Sequence, residues 1–185
     1  MEIRTVRPFS REYRNAAGLY REAFPPEQRY SYFFLWLTAA LRRPVTFRGY
    51  YDGSEFCGLS YTVDTGRYVY LFYLAVPARR RGRGDGSEIL SLLRQRHPDR
   101  TILLDVEAPD PAADNKEQRQ KRVEFYLRNG FYLLDRQVET EGHVQKIMST
   151  SREFDSAEYW KAFRLMSLKT LSRIKKVQKL LHLWR

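Results

Sequence analysis

A glycine-rich basic loop near the middle of the chain carries the residues best suited to chemistry. It combines four arginines with three glycines and a serine, and its members are Arg79, Arg80, Arg81, Gly82, Arg83, Gly84, Gly86 and Ser87. An aromatic and β-branched run precedes the loop, and apolar residues at helical spacing follow it. Glycines leave the backbone open to a ligand, and helix N-terminal N–H groups together with arginines attract anions. The pattern predicts a strand, a loop and a helix that hold a pyrophosphate.

The loop lacks the residues that define two common phosphate-binding motifs, and this limits the kind of ligand that it can bind. A nucleoside triphosphate loop needs Gly-Lys followed by Ser or Thr, and no such triplet occurs in the sequence. A dinucleotide fingerprint, Gly-x-Gly-x-x-Gly, fits poorly, because Ser87 occupies the position of the third glycine. The loop therefore favours a different pyrophosphate-containing ligand.

The loop resembles the acyl-CoA loop of the GCN5-related N-acetyltransferase (GNAT) superfamily. The resemblance lies in Arg81-x-x-Gly84-x-Gly86, which directly follows a strand ending in Leu74-x-Val76. It implies that acetyl-CoA is the co-substrate and that the backbone of Leu74 and Val76 contacts its pantetheine arm. The full set of residues that the resemblance assigns to acetyl-CoA is Leu74, Val76, Arg81, Gly82, Arg83, Gly84, Gly86 and Ser87.

A second motif stands where the family has its next conserved helix. Residues 122–131 resemble the family's helix ending in Phe-Tyr-x-x-x-Gly-Phe, with Gly130 as the helix stop and Phe131 opening the next strand. The two motifs follow each other in the family's order, and the resemblance covers about residues 1–148. It implies an α/β fold with a GNAT-like mixed, partly splayed β-sheet flanked by helices, followed by a C-terminal helical extension.

The resemblance also implies an activity. In this family an acetyl group passes from acetyl-CoA to a primary amine by direct attack in a ternary complex; here the acceptor is unidentified. A family tyrosine that protonates the leaving thiolate falls at Tyr126, so Tyr126 is the predicted catalytic acid. The aromatic segment 30–36 is either the lining of an acceptor pocket or part of the core.

A base is needed as well, because an amine with an ordinary pKa of ~10.4 is protonated at pH 7 at a cost of roughly 4 to 5 kcal/mol. On the predicted strand 101–107, alternation puts Leu103, Asp105 and Glu107 on one face. Glu107 lies at the carboxyl end of this strand, where open α/β sheets place ligands. Glu107 is therefore the predicted base, directly or through water, and a solvated strand-end carboxylate is the alternative.

Three residues depart from the family's pattern. Asp85 stands where an aliphatic residue is usual, Arg119 where many members have Asn, and Arg122 where a small residue is usual. A carboxylate close to a pyrophosphate is repelled unless it points away or caps the helix. Arg122 indicates a subgroup with its own acceptor or an extra phosphate contact.

Hydrophobic periodicity and turn residues predict the elements that position these groups. Predicted strands cover residues 2–7, 45–51, 55–63, 68–76, 101–107, 131–139 and 143–148. Predicted helices cover residues 10–24, 27–41, 84–97, 115–129 and 156–184. The helix between the fourth and fifth strands requires these two strands to be parallel.

Composition indicates a cytoplasmic protein without a metal. The sequence of 185 residues has no long apolar run and no signal peptide, so we expect neither secretion nor a transmembrane segment. The lone cysteine, Cys57, fits a small buried core residue better than a nucleophile. The three histidines lack ligand spacing, so acetyl-CoA is the one cofactor that we predict.

The C-terminal segment 149–185 is predicted to be a basic amphipathic extension. Residues 156–185 hold eight of the 33 basic and one of the 22 acidic residues, so most of the net charge of +11 lies there. Its predicted apolar helix face comprises Trp160, Phe163, Ser167, Thr170, Ile174, Val177, Leu181 and Trp184. We expect this face to pack on the protein's own body or in a homodimer. Binding to nucleic acid or an anionic membrane surface is the alternative, and with it a non-catalytic acyl-CoA-binding or regulatory module.

Overall fold

One mixed sheet organises the chain. The structure, a computed structural model, describes residues 1–140 and 143–166. Within them the strands are β1 (Glu2–Thr5), β2 (Val45–Asp52), β3 (Glu55–Asp64), β4 (Tyr68–Ala75), β5 (Thr101–Glu107), β6 (Tyr132–Thr140) and β7 (His143–Ser149). The helices are α1 (Arg11–Ala23), α2 (Tyr32–Leu41), α3 (Asp85–Arg96), α4 (Lys116–Arg128) and α5 (Ser156–Met166).

The strand order is β1-β2-β3-β4-β5-β7-β6. Every neighbouring pair is antiparallel except β4 and β5, which are parallel because α3 carries the chain back across the sheet. The predicted parallel pair and the predicted mixed sheet are confirmed.

The splay of this sheet lies between β4 and β5. The two strands pair only from Tyr68 to Tyr70, opposite Thr101 to Leu103. The pairing of β3 with β4 shifts register next to Phe72, so β4 has one extra residue there and bends. From Leu71 onward, the edge of β4 that faces β5 has no strand partner among the residues that the structure describes, and a cleft opens between the two strands.

Helices cover both faces of the sheet. The larger core lies under α1, α2 and α5, and the second lies under α3 and α4. Cys57 is fully buried beside Tyr50 and Ile89, which confirms its predicted place in the core. Among the residues that the structure describes, no helix is both long and apolar enough to cross a membrane.

The second helix begins later than the sequence pattern predicts. Only a single 3-10 turn, Pro26–Gln28, forms before α2 starts at Tyr32. The hydroxyl of Tyr73 donates to the Gln28 carbonyl at 3.0 Å and accepts from the Tyr30 N–H at 3.3 Å. These bonds to β4 take the place of helical hydrogen bonds, so the prediction of a helix from residue 27 is wrong.

Part of the predicted C-terminal helix packs on the body of the protein. α5 puts Tyr159, Ala162 and Met166 into the larger core, and Tyr159 is only 1% exposed. Residues 167–185, including the rest of the predicted apolar face, lie outside the described residues. The homodimer and the binding of anionic surfaces stay predictions.

Candidate active site

A cavity of about 930 Å³ occupies the cleft between β4 and β5. One arm of it runs along the glycine-rich loop, the start of α3 and one side of α4. The other arm runs between the α1–α2 connection, the bulged part of β4 and α5. The two arms meet where the strands part.

The loop has the backbone conformation that its glycines permit. Gly82 and Gly84 have φ of 79° and 91°, in the left-handed region that favours glycine. Gly84 is the N-cap of α3, and no side chain caps this helix. The N–H groups of the first α3 turn therefore have no partner within the helix and are available to an anion.

The structure brings most of the predicted acetyl-CoA contacts to one arm. Of that set, the residues lining the cavity are Leu74, Val76, Arg81, Gly82, Gly84, Gly86 and Ser87. Arg83 is exposed and does not line it. Arg81 makes no ion pair with the described residues, so its charge is the one in the loop best placed for a ligand.

Asp85 and Arg80 form a buried ion pair beneath the loop. The Arg80 Nε lies 2.5 Å from Asp85 Oδ2, and its Nη2 lies 3.1 Å from Oδ1. Glu55 of β3 adds a third contact, at 2.6 Å from Arg80 Nη1. Asp85, the first departure from the family's pattern, is thus a carboxylate whose charge Arg80 neutralises beneath the loop.

Gly86 allows α4 to pack closely against α3. A Cβ at this position would lie 3.0 Å from the Phe125 ring, which α4 packs against the first turn of α3. The contact ties α4 to the loop. The two sequence motifs are therefore in direct contact.

Tyr126 lies on α4 and lines the same cavity. Its ring packs between Phe125 and Phe131, and the residue is 8% exposed. Burial raises the pKa of Tyr126 to about 12, and nearby Arg122 opposes the rise. The phenol therefore keeps its proton throughout the neutral pH range.

Glu107 lines the cavity, but both of its carboxylate oxygens are engaged. Arg122 contacts Oε2 at 3.0 Å and Arg119 contacts Oε1 at 3.2 Å. Asn115, the N-cap of α4, lies 3.5 Å from Oε1. Arg119 and Arg122, the other two departures from the family's pattern, are thus the ion-pair partners of Glu107. The network joins the end of β5 to α4.

Asp105 is a site residue that the choice of Glu107 missed. Its Oδ2 accepts hydrogen bonds from Tyr70 and, at 2.7 Å, from Tyr159. Its Oδ1 is shielded from solvent and has no hydrogen-bond partner among the described residues. Burial raises the pKa of Asp105 to about 6, and the two tyrosine hydrogen bonds lower it. The signal in the sequence was a carboxylate placed between the apolar residues Leu104 and Val106, both of which are buried.

Solved structures provide a comparison for this arrangement. No protein-family model and no curated protein sequence matches the chain. A GNAT-family protein from Bacteroides thetaiotaomicron matches in structure, with a TM-score of 0.71 at 21% identity over 89% of this chain and 94% of that one. An aminoglycoside 6′-N-acetyltransferase complexed with coenzyme A gives a TM-score of 0.65 at 17% identity, covering 84% and 99%.

A third match shows the range of proteins with this architecture. A ribosomal-protein alanine N-acetyltransferase from Escherichia coli has a TM-score of 0.58 at 16% identity, covering 83% of this chain and 95% of that one. The chain therefore has the fold of the GNAT superfamily. The mixed, partly splayed sheet flanked by helices that the two motifs predict is confirmed.

Proposed function

We propose that the protein is an acetyl-CoA-dependent N-acetyltransferase, in which a primary amine attacks the thioester directly in a ternary complex. One observation carries this proposal: a single cleft joins an anion-binding helix N-terminus to a carboxylate with a free oxygen. The acetyltransferases that share the fold support the reaction class. Holding amine and thioester together in such a cleft can contribute ~7 kcal/mol or more to the rate.

The first arm fits the chemistry of acetyl-CoA. The N–H groups of the first α3 turn and the Arg81 guanidinium suit a diphosphate, since both attract anions. Gly82 and Gly84 allow the backbone to turn there, and Ser87 adds a hydroxyl. The unpartnered edge of β4 near Leu74 offers backbone groups to the amides of a pantetheine arm.

We propose Asp105 as the base in place of Glu107. Both oxygens of Glu107 already have cationic partners, a hydrogen bond from Arg122 and an ion pair with Arg119, whereas Asp105 Oδ1 has no hydrogen-bond partner among the described residues. The acceptor attacks as the neutral amine, after its ammonium proton has passed to solvent. As the N–C bond forms, the nitrogen becomes acidic, and the Asp105 carboxylate, with a pKa of about 6, can then take the second proton. Glu107 becomes a positioning residue that holds α4 against β5.

Tyr126 is the group proposed to face the departing sulfur. A thiol has an ordinary pKa of about 8.5, well below the pKa of about 12 for this phenol. A full proton transfer from Tyr126 to the thiolate is therefore uphill. A hydrogen bond from its hydroxyl still stabilises the negative charge on sulfur as the C–S bond breaks.

Ligand-dependent melting together with thiol release tests the proposed function. A ligand at 100 times its dissociation constant stabilises a protein by ~2.7 kcal/mol. Acetyl-CoA should therefore raise the melting temperature, whereas ATP and NADH should not. Free thiol should appear only when an amine is added. A protein that binds acetyl-CoA but releases no thiol with a broad amine panel would instead be a non-catalytic acyl-CoA-binding module.

Replacing Gly84 with Val should weaken acetyl-CoA binding at least tenfold in calorimetry, because a β-branched residue at positive φ costs roughly 1–3 kcal/mol and displaces the loop N–H groups. Gly66→Val is the matched control, since Gly66 also has positive φ and a Cβ added there would meet open space. Both variants should lose similar stability, but only Gly84→Val should lose affinity. If both variants bound acetyl-CoA with equal affinity, the ligand would not bind at this loop.

The Tyr126→Phe variant should lower kcat by ~10²-fold or more with little change in acetyl-CoA affinity, because the hydroxyl acts only on the leaving sulfur. Stopped-flow thiol release and calorimetry measure the two quantities. Tyr132→Phe, at an exposed position on β6, is the control and should keep full activity. If kcat for Tyr126→Phe were unchanged at saturating acceptor, water or another group would stabilise the leaving sulfur instead.

A further inference from the structure

The second arm of the cavity has walls of aromatic rings. Its ring-bearing residues are Phe24, Tyr30, Tyr70, Phe72, Tyr73 and Phe163. The hydroxyl of Tyr70 donates to Asp105, and that of Tyr73 donates to the Gln28 carbonyl. These two tyrosines therefore offer ring faces and edges to a ligand, because their hydroxyl protons are already committed to the protein.

The C-terminal helix α5 closes this arm. The Phe163 ring lies 5.2 Å from the ring of Tyr70 and 5.1 Å from that of Phe72, in edge-to-face geometry. One turn earlier, Tyr159 donates to Asp105 and packs on Tyr70 with ring centroids 5.5 Å apart. A helix outside the predicted acyltransferase domain thus supplies a wall of the cleft and a hydrogen bond to the proposed base.

The chemistry of this arm suits one kind of acceptor. A carboxylate oxygen without a hydrogen-bond partner among the described residues attracts an ammonium group, and ring faces add cation–π attraction. Rings also favour apolar carbons beside the amine, whereas hydroxyl groups on those carbons would lose their water without gaining partners. Glu27, Arg29 and Gln145 also line the cavity and can meet a polar group farther along the acceptor.

We propose that α5 completes an aromatic box around Asp105, and that this box selects primary amines with an apolar skeleton next to the nitrogen. Phe163 is its specificity-determining wall, and Tyr159 is a positioning residue for Asp105. The inference rests on the proposed N-acetyltransferase function and adds the class of acceptor.

The test compares amines of similar size in the full-length protein with acetyl-CoA. The kcat/KM for 2-phenylethylamine and n-hexylamine should exceed that for glucosamine by about tenfold or more. Phe163→Ala should lower kcat/KM for the apolar amines by about tenfold and leave that for glucosamine nearly unchanged. Leu165→Ala is the control, because it shortens a partly buried side chain of the same helix that does not line the cavity.

Tyr159→Phe tests the positioning role and keeps the ring in the core. Tyr70 from β4 and Tyr159 from α5 are the groups that face the Asp105 carboxylate, and each lowers its pKa by donating a hydrogen bond. Loss of one donor should shift the acid limb of kcat/KM to higher pH, with the melting temperature little changed. An unmoved limb would overturn the positioning role.

Two outcomes separate this inference from the proposed function. If glucosamine is acetylated as well as the apolar amines, or if Phe163→Ala affects all amines equally, the box is wrong while acetyl transfer stands. If no amine is acetylated, the proposed function fails, and calorimetric titration of 2-phenylethylamine into the protein–CoA complex decides the inference. Binding that Phe163→Ala abolishes supports the box, and absence of binding to the unaltered protein overturns it.

Discussion

Replacing Asp105 with Asn is expected to lower kcat/KM for the amine acceptor by about 10²- to 10⁴-fold, the usual contribution of a general base. The amide has nearly the same shape as the carboxylate, and its oxygen can still accept from Tyr70 and Tyr159. Only Oδ1, which has no hydrogen-bond partner among the described residues, is replaced, by an NH₂ group that cannot take a proton. Steady-state thiol release at saturating acetyl-CoA measures the loss.

The stability of this variant separates lost chemistry from lost folding. Burial raises the pKa of Asp105 in the folded protein above its ordinary value of 3.8. The contribution of this carboxyl to the free energy of unfolding is therefore greatest at low pH, where it is protonated in both states. This contribution is lost as the pH rises through about 6. Asp105→Asn removes the buried charge, so at pH 8 its melting temperature should equal or exceed that of the unaltered protein.

The pH profile of the unaltered protein provides a second check on Asp105. A base with a pKa of about 6 is protonated below that pH, so kcat/KM should fall on the acid side of pH 6. Asp135→Asn, an exposed substitution on β6, should leave both rate and profile unchanged. Full activity of Asp105→Asn together with an inactive, well-folded Glu107→Gln would return the role of base to Glu107.

Replacing Asp85 with Ala should destabilise the protein by about 3 kcal/mol, because it leaves the buried Arg80 guanidinium without its main partner. This value is the lower end of the usual range, since Glu55 still contacts Arg80 at 2.6 Å. The loop above the pair should lose its shape, so acetyl-CoA affinity should fall as well. Denaturant unfolding and calorimetry measure the two effects.

The double variant Arg80→Leu with Asp85→Ile tests the cause of that loss. Buried ion pairs can often be exchanged for apolar residues at little cost, so its stability should return to within about 1 kcal/mol of the original. Arg79→Ala is the control, since its contact with Glu55 is exposed and 3.5 Å long. A double variant as unstable as Asp85→Ala would mean that the pair itself holds the loop.

Much of the fold could be predicted from local patterns. The predicted strand 101–107 matches β5, and Ser10 caps α1 by accepting from the Tyr13 N–H, because alternation and capping depend on neighbours in sequence. The start of α2 could not be predicted in this way. Its position depends on hydrogen bonds between Tyr73 and a segment more than forty residues away.

The sequence by itself determined the backbone conformation and the charge of the glycine-rich loop, because backbone freedom and charge belong to single residues. Gly82 and Gly84 adopt the left-handed backbone that glycine permits, and α3 starts at the next residue. The sequence also determined that Tyr126 would lie on the helix that stops just before Gly130, since a glycine helix stop depends on local residues.

Only the tertiary structure decided which charged groups are free to act. Arg80 and Arg81 are adjacent in sequence, yet Asp85 and Glu55 neutralise the first and leave the second open to the cavity. Glu107 and Asp105 share a strand, yet Arg122, fifteen residues on, engages Glu107. Tyr159, fifty-four residues on, donates to Oδ2 of Asp105, while Oδ1 has no hydrogen-bond partner within the described part of the chain. Burial and ion pairing arise between residues distant in sequence, so they are settled when the chain packs.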